Sequence, residues 1–372
     1  MGGRDGGDDP GLPRREGLNA HWEPSTRAQT ERVGTFAVRM SSGRTRGLVT
    51  AFVGVPIGLV FLWLALRDAD LDAVWRSLQE ADAGLVALAI AAFGVVYAFQ
   101  STRWRRIASA RAVRLARFYE MTVSGVAVNN VLPGRIGDLL RARWLGLAAR
   151  MPAGRAFGTV ILDRACDFVV LVCLLVVGVG AVASSEWLVR LAAGSLLALV
   201  TFGVVLLLAR AYIGRRERER RSRGFLRRLV RDTLEVLAEP LGRRRPVIWL
   251  GLSLAAWASW ATAASLVARS LGLDLSITDA LFVTAVLNLG SAVPSSPGYV
   301  GTYEWLGVAS LGLLDVPHEQ ALAFTILLHA AWYVPTTLAG GVALAVRGVR
   351  QLRRSRAERT SGLRDAAASD QP

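Results

Sequence analysis

The chain has 372 residues, 52% of them hydrophobic, a mean hydropathy of +0.37 and a formal charge of +15. Soluble domains of this length rarely join so apolar a mean to so basic a balance. The apolar residues gather into runs of roughly 18–27, each long enough to cross a ~30 Å hydrocarbon core, which excludes a soluble globular enzyme.

The positive charge is all arginine, because the sequence contains no lysine. That excludes a Walker A loop and a pyridoxal Schiff base, both of which need an ammonium group. Cys166 and Cys173 are the only cysteines and share one apolar run. Seven residues of helix separate them by about 10 Å, too far for a disulfide, so both read as packing residues. No cofactor and no metal site are expected.

Residues 1–46 are polar and rich in Gly, Arg and Asp, and read as a disordered basic tail. Met40 precedes the first apolar run and is an alternative start. Apolar runs then fall at about 47–66, 83–101, 118–132 (weaker), 157–182, 187–210, 246–268, 280–314 (broken) and 320–346. The remainder, 347–372, reads as a second disordered basic tail.

Arginine asymmetry orients the runs. The gap 67–82 holds two Arg against five acids and reads as outside, whereas 101–117 holds six Arg and no acid and reads as inside. The gap 210–245, with thirteen Arg against five acids, is also inside; 315–319 is outside; and 347–359, with six Arg against Glu358, is inside. Both termini are therefore expected in the cytoplasm. The count closes only if 118–150 and 280–314 are helical hairpins, each broken by a Pro-Gly pair.

The stretch Pro133-Gly134-Arg135-Ile136-Gly137 matches Pro297-Gly298-Tyr299-Val300-Gly301 at an offset of 164 residues. The same offset carries 157–182 onto about 321–346 and 83–101 onto about 247–265. The expected fold is thus an all-α polytopic membrane protein with two repeats, about 47–182 and 187–346. Each repeat is span, span, broken hairpin, span, inserted with opposite topology. Two broken elements facing each other are a transporter architecture.

The first break contains Asn129, Asn130, Pro133, Gly134, Arg135, Gly137, Asp138 and Arg141. Pro133 and Gly134 stop the incoming helix, and the asparagines can satisfy the freed backbone. A new helix near Ile136 would aim its positive end at the tip, and Arg135 and Arg141 add guanidinium groups, which together suit a phosphate. The competing reading is a hairpin anchor neutralised by Asp138. Asp163, Arg164 and Asp167 lie at the start of the next span, either bracing those arginines or touching substrate.

The second break contains Asn288, Pro294, Pro297, Gly298, Gly301 and Glu304. Glu304 is its only charge, placed to cap the outgoing helix or to take part in transport. His329 sits mid-span, as an interior hydrogen-bonded histidine or a proton relay. In the loop 217–241, Leu226, Val230, Leu234, Leu237 and Leu241 share one stripe opposite arginines, as in an interfacial helix drawn to anionic lipid at the cytoplasmic surface. Aromatic interleaving is absent there, so nucleic acid is not the expected partner.

With these residues in view, the sequence resembles the lysylphosphatidylglycerol synthase transmembrane-region family, the flippase-like membrane domains. The matching text is NNVLPGRIGDLLRARWLG at 129–146, LDRACDFVVL at 162–171 and VPSSPGYVGTYEW at 293–305. Family patterns usually read PGR-x-GE and ER-x-x-D; here Asp138 and Asp163 stand where the glutamates would be. Only about 26 residues follow the last span, without the family's aminoacyl transferase domain, so the resemblance implies the translocating half. The expectation is a multi-pass plasma-membrane lipid translocase, not an enzyme. Its substrate would carry an anionic head group, as in an aminoacylated phospholipid or a polyprenyl-phosphate-linked sugar, with a lipid-modifying transferase as partner. Two alternatives stand beside it. One is a membrane glycosyltransferase using an external Asp pair among Asp68, Asp70 and Asp72; the other is a non-catalytic membrane partner of a lipid-modifying enzyme.

Overall fold

A computed structural model describes residues 55–132, 135–181, 186–216, 225–238, 245–290 and 296–369. Among them there is helix and no strand. In chain order the helices are α1 (Val55–Leu66), α2 (Leu71–Gln79), α3 (Ala83–Ile107), α4 (Leu115–Val131), α5 (Ile136–Ala149) and α6 (Ala153–Ala181). They continue as α7 (Glu186–Arg216), α8 (Phe225–Ala238), α9 (Arg245–Ser270), α10 (Ile277–Gly290), a 3₁₀ turn at Pro297–Tyr299, α11 (Thr302–Gly312) and α12 (His318–Ser369).

Four described helices hold segments long and apolar enough to cross a membrane: Ala83–Ile107, Leu188–Val205, Arg245–Ser270 and His318–Arg350. They match four of the expected spans. The run 157–182 becomes α6, 29 residues long, whose first half carries Asp163, Arg164 and Asp167. Apolar side chains stand exposed along these helices, among them Leu197, Leu208, Leu338 and Val342. In lipid such faces cost nothing, since the acyl chains are as apolar as they are.

Two features differ from expectation. The acidic gap 67–82 contains α2, whose Leu71, Val74, Trp75 and Leu78 recur at helical spacing. Its five acids masked this stripe; Asp70 and Asp82 are in fact N-caps, accepting from Asp72 and Ala73 N–H and from Gly84 and Leu85 N–H. The C-terminal segment, expected as a disordered tail from 347, continues α12 to Ser369. Seven arginines, four alanines and two leucines in residues 347–369 are good helix formers, and the segment has no proline. Arg347 also fixes its start, pairing with Glu120 at 3.1 Å and lying over the Trp144 ring at 4.2 Å.

The two halves pack in the same pattern. α4 lies on α12 as α10 lies on α6; α5 packs on α4 and α6 as α11 packs on α10 and α12; and α8 covers α6 as α2 covers α12. The first residues of these elements follow the 164-residue offset to within about two positions: Ala83 and Arg245, Leu115 and Ile277, Ile136 and Thr302, Ala153 and His318. α3 and α9 pair with each other and run antiparallel. Asp82 N–H donates to Ser270 O at one end, Phe93 meets Trp260 at 4.8 Å in the middle, and Arg103 meets Ser253 at the other end. The main core lies between them and α6, α10, α11 and α12, around Trp257, Trp260, Phe282, Phe324 and Trp332.

Glycine permits the closest approaches. A Cβ on Gly137 would stand 1.9 Å from Gly125 O, so α4 and α5 meet backbone to backbone. At the equivalent place in the second half, a Cβ on Gly301 would stand 1.9 Å from Gly58 O, and Gly301 also has φ +89°.

Candidate functional site

The charged residues of the first half converge where α3, α4, α5 and α6 meet. Arg103 on α3, fully buried, donates from Nε to Asp163 Oδ1 at 2.8 Å. Its Nη1 and Nη2 bond Asp167 Oδ1 and Oδ2 at 2.5 and 2.8 Å, and it also reaches Ser253 Oγ on α9. Ser253 Oγ and Trp257 Nε1 donate to the same Asp167 oxygen, at 3.2 and 3.1 Å. Arg141, likewise fully buried, donates to Asp163 Oδ2 at 3.1 Å, approaches Asp138 Oδ1 at 3.5 Å, and lies 4.3 Å over the Trp104 ring. Arg164 donates to Asp138 Oδ1 at 3.1 Å and keeps 34% of its side chain exposed. Buried charges of this kind are tolerable only when each is paired, and here each carboxylate has at least one guanidinium.

These pairings separate the expected ligand residues into two groups. Arg135, Asp138, Arg164 and Asp167 line a central cavity of about 500 Å³, together with Asn129, Asn130 and Asn288. Arg141 and Asp163 do not; they stand behind the wall and hold Asp138 and Arg103 in place. The start of α5 is also partly spoken for. Asn129 Oδ1 accepts the Gly137 N–H at 2.7 Å and the Asp138 N–H bonds Arg135 O at 3.1 Å, so these two amides are not offered to a ligand. Arg135 adopts the left-handed conformation, φ 53°, as the residue that turns the chain into α5. Asn130 Nδ2 donates to Thr337 Oγ1 at 2.9 Å, and Tyr333 O–H donates to its carbonyl at 3.3 Å, tying the first break to α12.

The second break is held differently. Glu304 Oε2 accepts the Gly301 N–H at 2.5 Å, and its Oε1 faces His329 Nδ1 at 2.5 Å. His329 Nε2 stands 2.9 Å from Gly298 O. A carbonyl can only accept, so Nε2 carries a proton. His329 therefore bridges the Glu304 carboxyl group and the Gly298 carbonyl. Glu304 and His329 are thus one unit that pins both glycines of the break, and neither lines the cavity. Pro297 begins the 3₁₀ turn and Gly298, φ 72°, lies under the Tyr333 ring. Pro133, Gly134 and Pro294 lie outside the described residues, as does Leu241 of the amphipathic stripe. That stripe is otherwise on α8, where Thr233 Oγ1 donates to Gly154 O at 3.0 Å and seats the helix on α6.

Sequence reasoning missed Arg103 and the aromatic wall of the cavity: Tyr97, Trp257, Trp260, Tyr299, Tyr303 and Trp332. Arg103 was legible only as one of six arginines in the gap 101–117. Its distinguishing signal is its place one turn inside α3 rather than beyond it.

A family model described as "Lysylphosphatidylglycerol synthase TM region" matches residues 51–340. The chain belongs to that family. Among curated relatives, it is similar to the "UPF0104 membrane protein" of Methanothermobacter thermautotrophicus, 24% identical over 319 residues, covering 78% of this chain and 92% of the relative. It is also similar to "Glycosyltransferase AglD" of Haloferax volcanii, 29% identical over 339 residues, covering 79% of this chain and 54% of the relative. The chain therefore spans about half the length of that glycosyltransferase. This match corrects one expectation: a family member with a relative named for glycosyl transfer cannot be set down from its sequence as a non-enzyme.

Proposed function

We propose that this family member is a lipid translocase that takes an anionic head group into the central cavity. The observation that carries the reading is the placement of Arg135 and Arg164 on the wall of a cavity enclosed by membrane helices. Guanidinium groups among membrane helices are costly to desolvate and are retained where they meet a partner or a substrate. The antiparallel pairing of α3 with α9 and the exchangeable packing of the halves support an inverted-topology repeat. On that reading both termini are cytoplasmic, the first break opens to the cytoplasm and the second to the outside. An aminoacylated phospholipid and a polyprenyl-phosphate-linked sugar both carry the required anion. A lipid-modifying transferase is the partner that would supply such a head group, and α8 is the element that would rest on anionic lipid in the plasma membrane.

Glycosyl transfer is the second reading, favoured by the relative named for it. Of the acidic residues expected to serve it (Asp68, Asp70 and Asp72), Asp70 caps α2 and Asp68 pairs with Arg67 at 2.9 Å. Purified protein in liposomes separates the two. Faster movement of a chemically unchanged lipid supports translocation, and a new glycosidic product supports transfer.

A further inference from the structure

The charge balance and the walls of the cavity narrow the head group, on the reading that this is a lipid-translocating site. Four guanidinium groups, of Arg103, Arg135, Arg141 and Arg164, surround three carboxylates, of Asp138, Asp163 and Asp167. Among the described residues, every carboxylate in this group has a guanidinium partner within hydrogen-bond reach, while the Arg135 side chain forms no ion pair. One positive charge is therefore in excess, and it lies on the cavity wall. A ligand with one negative charge neutralises it; a second negative charge would have no guanidinium partner among the described residues.

The carboxylates that line the cavity, Asp138 and Asp167, are both taken up by arginines. Both contacts of Asp138 use Oδ1, but the guanidinium groups around these carboxylates leave the cluster net positive, which disfavours an added ammonium group. The cavity is also lined by aromatic rings, of Trp257, Trp260, Tyr303 and Trp332. Trp260 is 5% exposed and its indole N–H has no partner. A buried donor of this kind costs stability until an acceptor arrives. Flat aromatic faces with an unsatisfied donor suit a ring that has an apolar C–H face and hydroxyl oxygens at its edge.

We infer that the cavity takes a phosphodiester monoanion joined to a neutral, hydroxyl-rich ring, that is, a lipid-linked monophosphate sugar and not an aminoacylated phospholipid. The phosphodiester meets Arg135, and the ring lies against the tryptophans with one oxygen accepting from Trp260.

The test is ligand titration of the purified full chain in detergent, followed by tryptophan fluorescence. Three short-chain lipids are compared: prenyl phosphoglucose, prenyl monophosphate and lysyl-phosphatidylglycerol. The expected result is that prenyl phosphoglucose binds at least about tenfold more tightly than either of the others. Trp260→Phe should weaken phosphoglucose binding about fivefold and leave prenyl monophosphate unchanged, because the phenyl ring keeps the face and loses the donor. Where Trp260→Phe shows a lowered melting temperature, Trp332→Leu serves as the second variant with the same expectation. Lysyl-phosphatidylglycerol binding as tightly as the phosphosugar would overturn this inference and leave the translocase reading standing. Absence of binding by all three lipids would overturn both.

Discussion

Arg103 grips Asp167 at two points, with Nη1 and Nη2 at 2.5 and 2.8 Å from the two carboxylate oxygens, and so joins α3 to α6 deep in the bundle. Its Nε adds Asp163 at 2.8 Å, so one planar group orders both aspartates. A lysine has no such fork and satisfies one carboxylate at most. Arg103→Lys should therefore lower stability by about 3–5 kcal/mol, the usual cost of breaking a buried pair. Thermal unfolding in detergent measures it, and an unchanged midpoint would show that the cluster does not brace the fold. Arg141→Lys should behave similarly.

The two glycines at the repeat offset give a second stability prediction. Gly137→Ala pushes a methyl group into Gly125 O and Gly301→Ala pushes one into Gly58 O, each at 1.9 Å. Both should destabilise by about 3 kcal/mol, the upper end of overpacking costs, and Gly301→Ala by more because of its positive φ. Gly341→Ala on α12, with nothing within 4 Å, is the control. It should stabilise by about 0.5–1 kcal/mol, as expected for a helix interior.

Glu304→Gln separates proton exchange from structure. The amide oxygen can accept the Gly301 N–H, the amide N–H can donate to Nδ1, and the neutral imidazole still donates from Nε2 to Gly298 O. The fold should therefore hold while the ionisable carboxyl group is lost. In liposomes with an imposed pH gradient, the variant should keep slow lipid equilibration and lose any dependence on the gradient. A gradient response equal to that of the unmodified protein would remove Glu304 from the coupling.

Topology is testable by cysteine labelling in sealed vesicles. Cys173 is exposed, so it is first replaced by Ser. Arg111→Cys, at the α3–α4 turn, should label only from the inside, and Pro317→Cys, before α12, only from the outside. Labelling of both from one side would contradict the inverted repeat.

Much of the fold could be read from the sequence because lipid simplifies the problem. A spanning helix must be long and apolar, so α3, α7, α9 and α12 announce themselves. The PGxxG match picked out two glycines, Gly137 and Gly301, at each of which a Cβ would stand 1.9 Å from a carbonyl oxygen. α2 was hidden because charge counting sees only Asp70, Asp72 and Glu80, and not the stripe of Leu71, Val74 and Leu78 among them. The end of α12 was missed for the same reason, since a basic segment with good helix formers reads first as polar. At the site, sequence proximity grouped Arg135, Asp138 and Arg141, which the structure divides between cavity and support. The aromatic wall comes from five separate elements, and nothing in local spacing brings Tyr97, Trp260 and Trp332 together.

The most direct measurement is lipid movement in proteoliposomes with a head-group-labelled anionic lipid, using a membrane-impermeant reductant to read the outer leaflet. The unmodified protein should expose inner-leaflet lipid well above the rate of protein-free vesicles. Arg135→Gln, at a residue outside the buried ion-pair cluster, should slow it about tenfold, equivalent to ~1.4 kcal/mol, without lowering the melting temperature. A rate equal to that of protein-free vesicles, or an Arg135→Gln protein as fast as the unmodified one, would contradict the account.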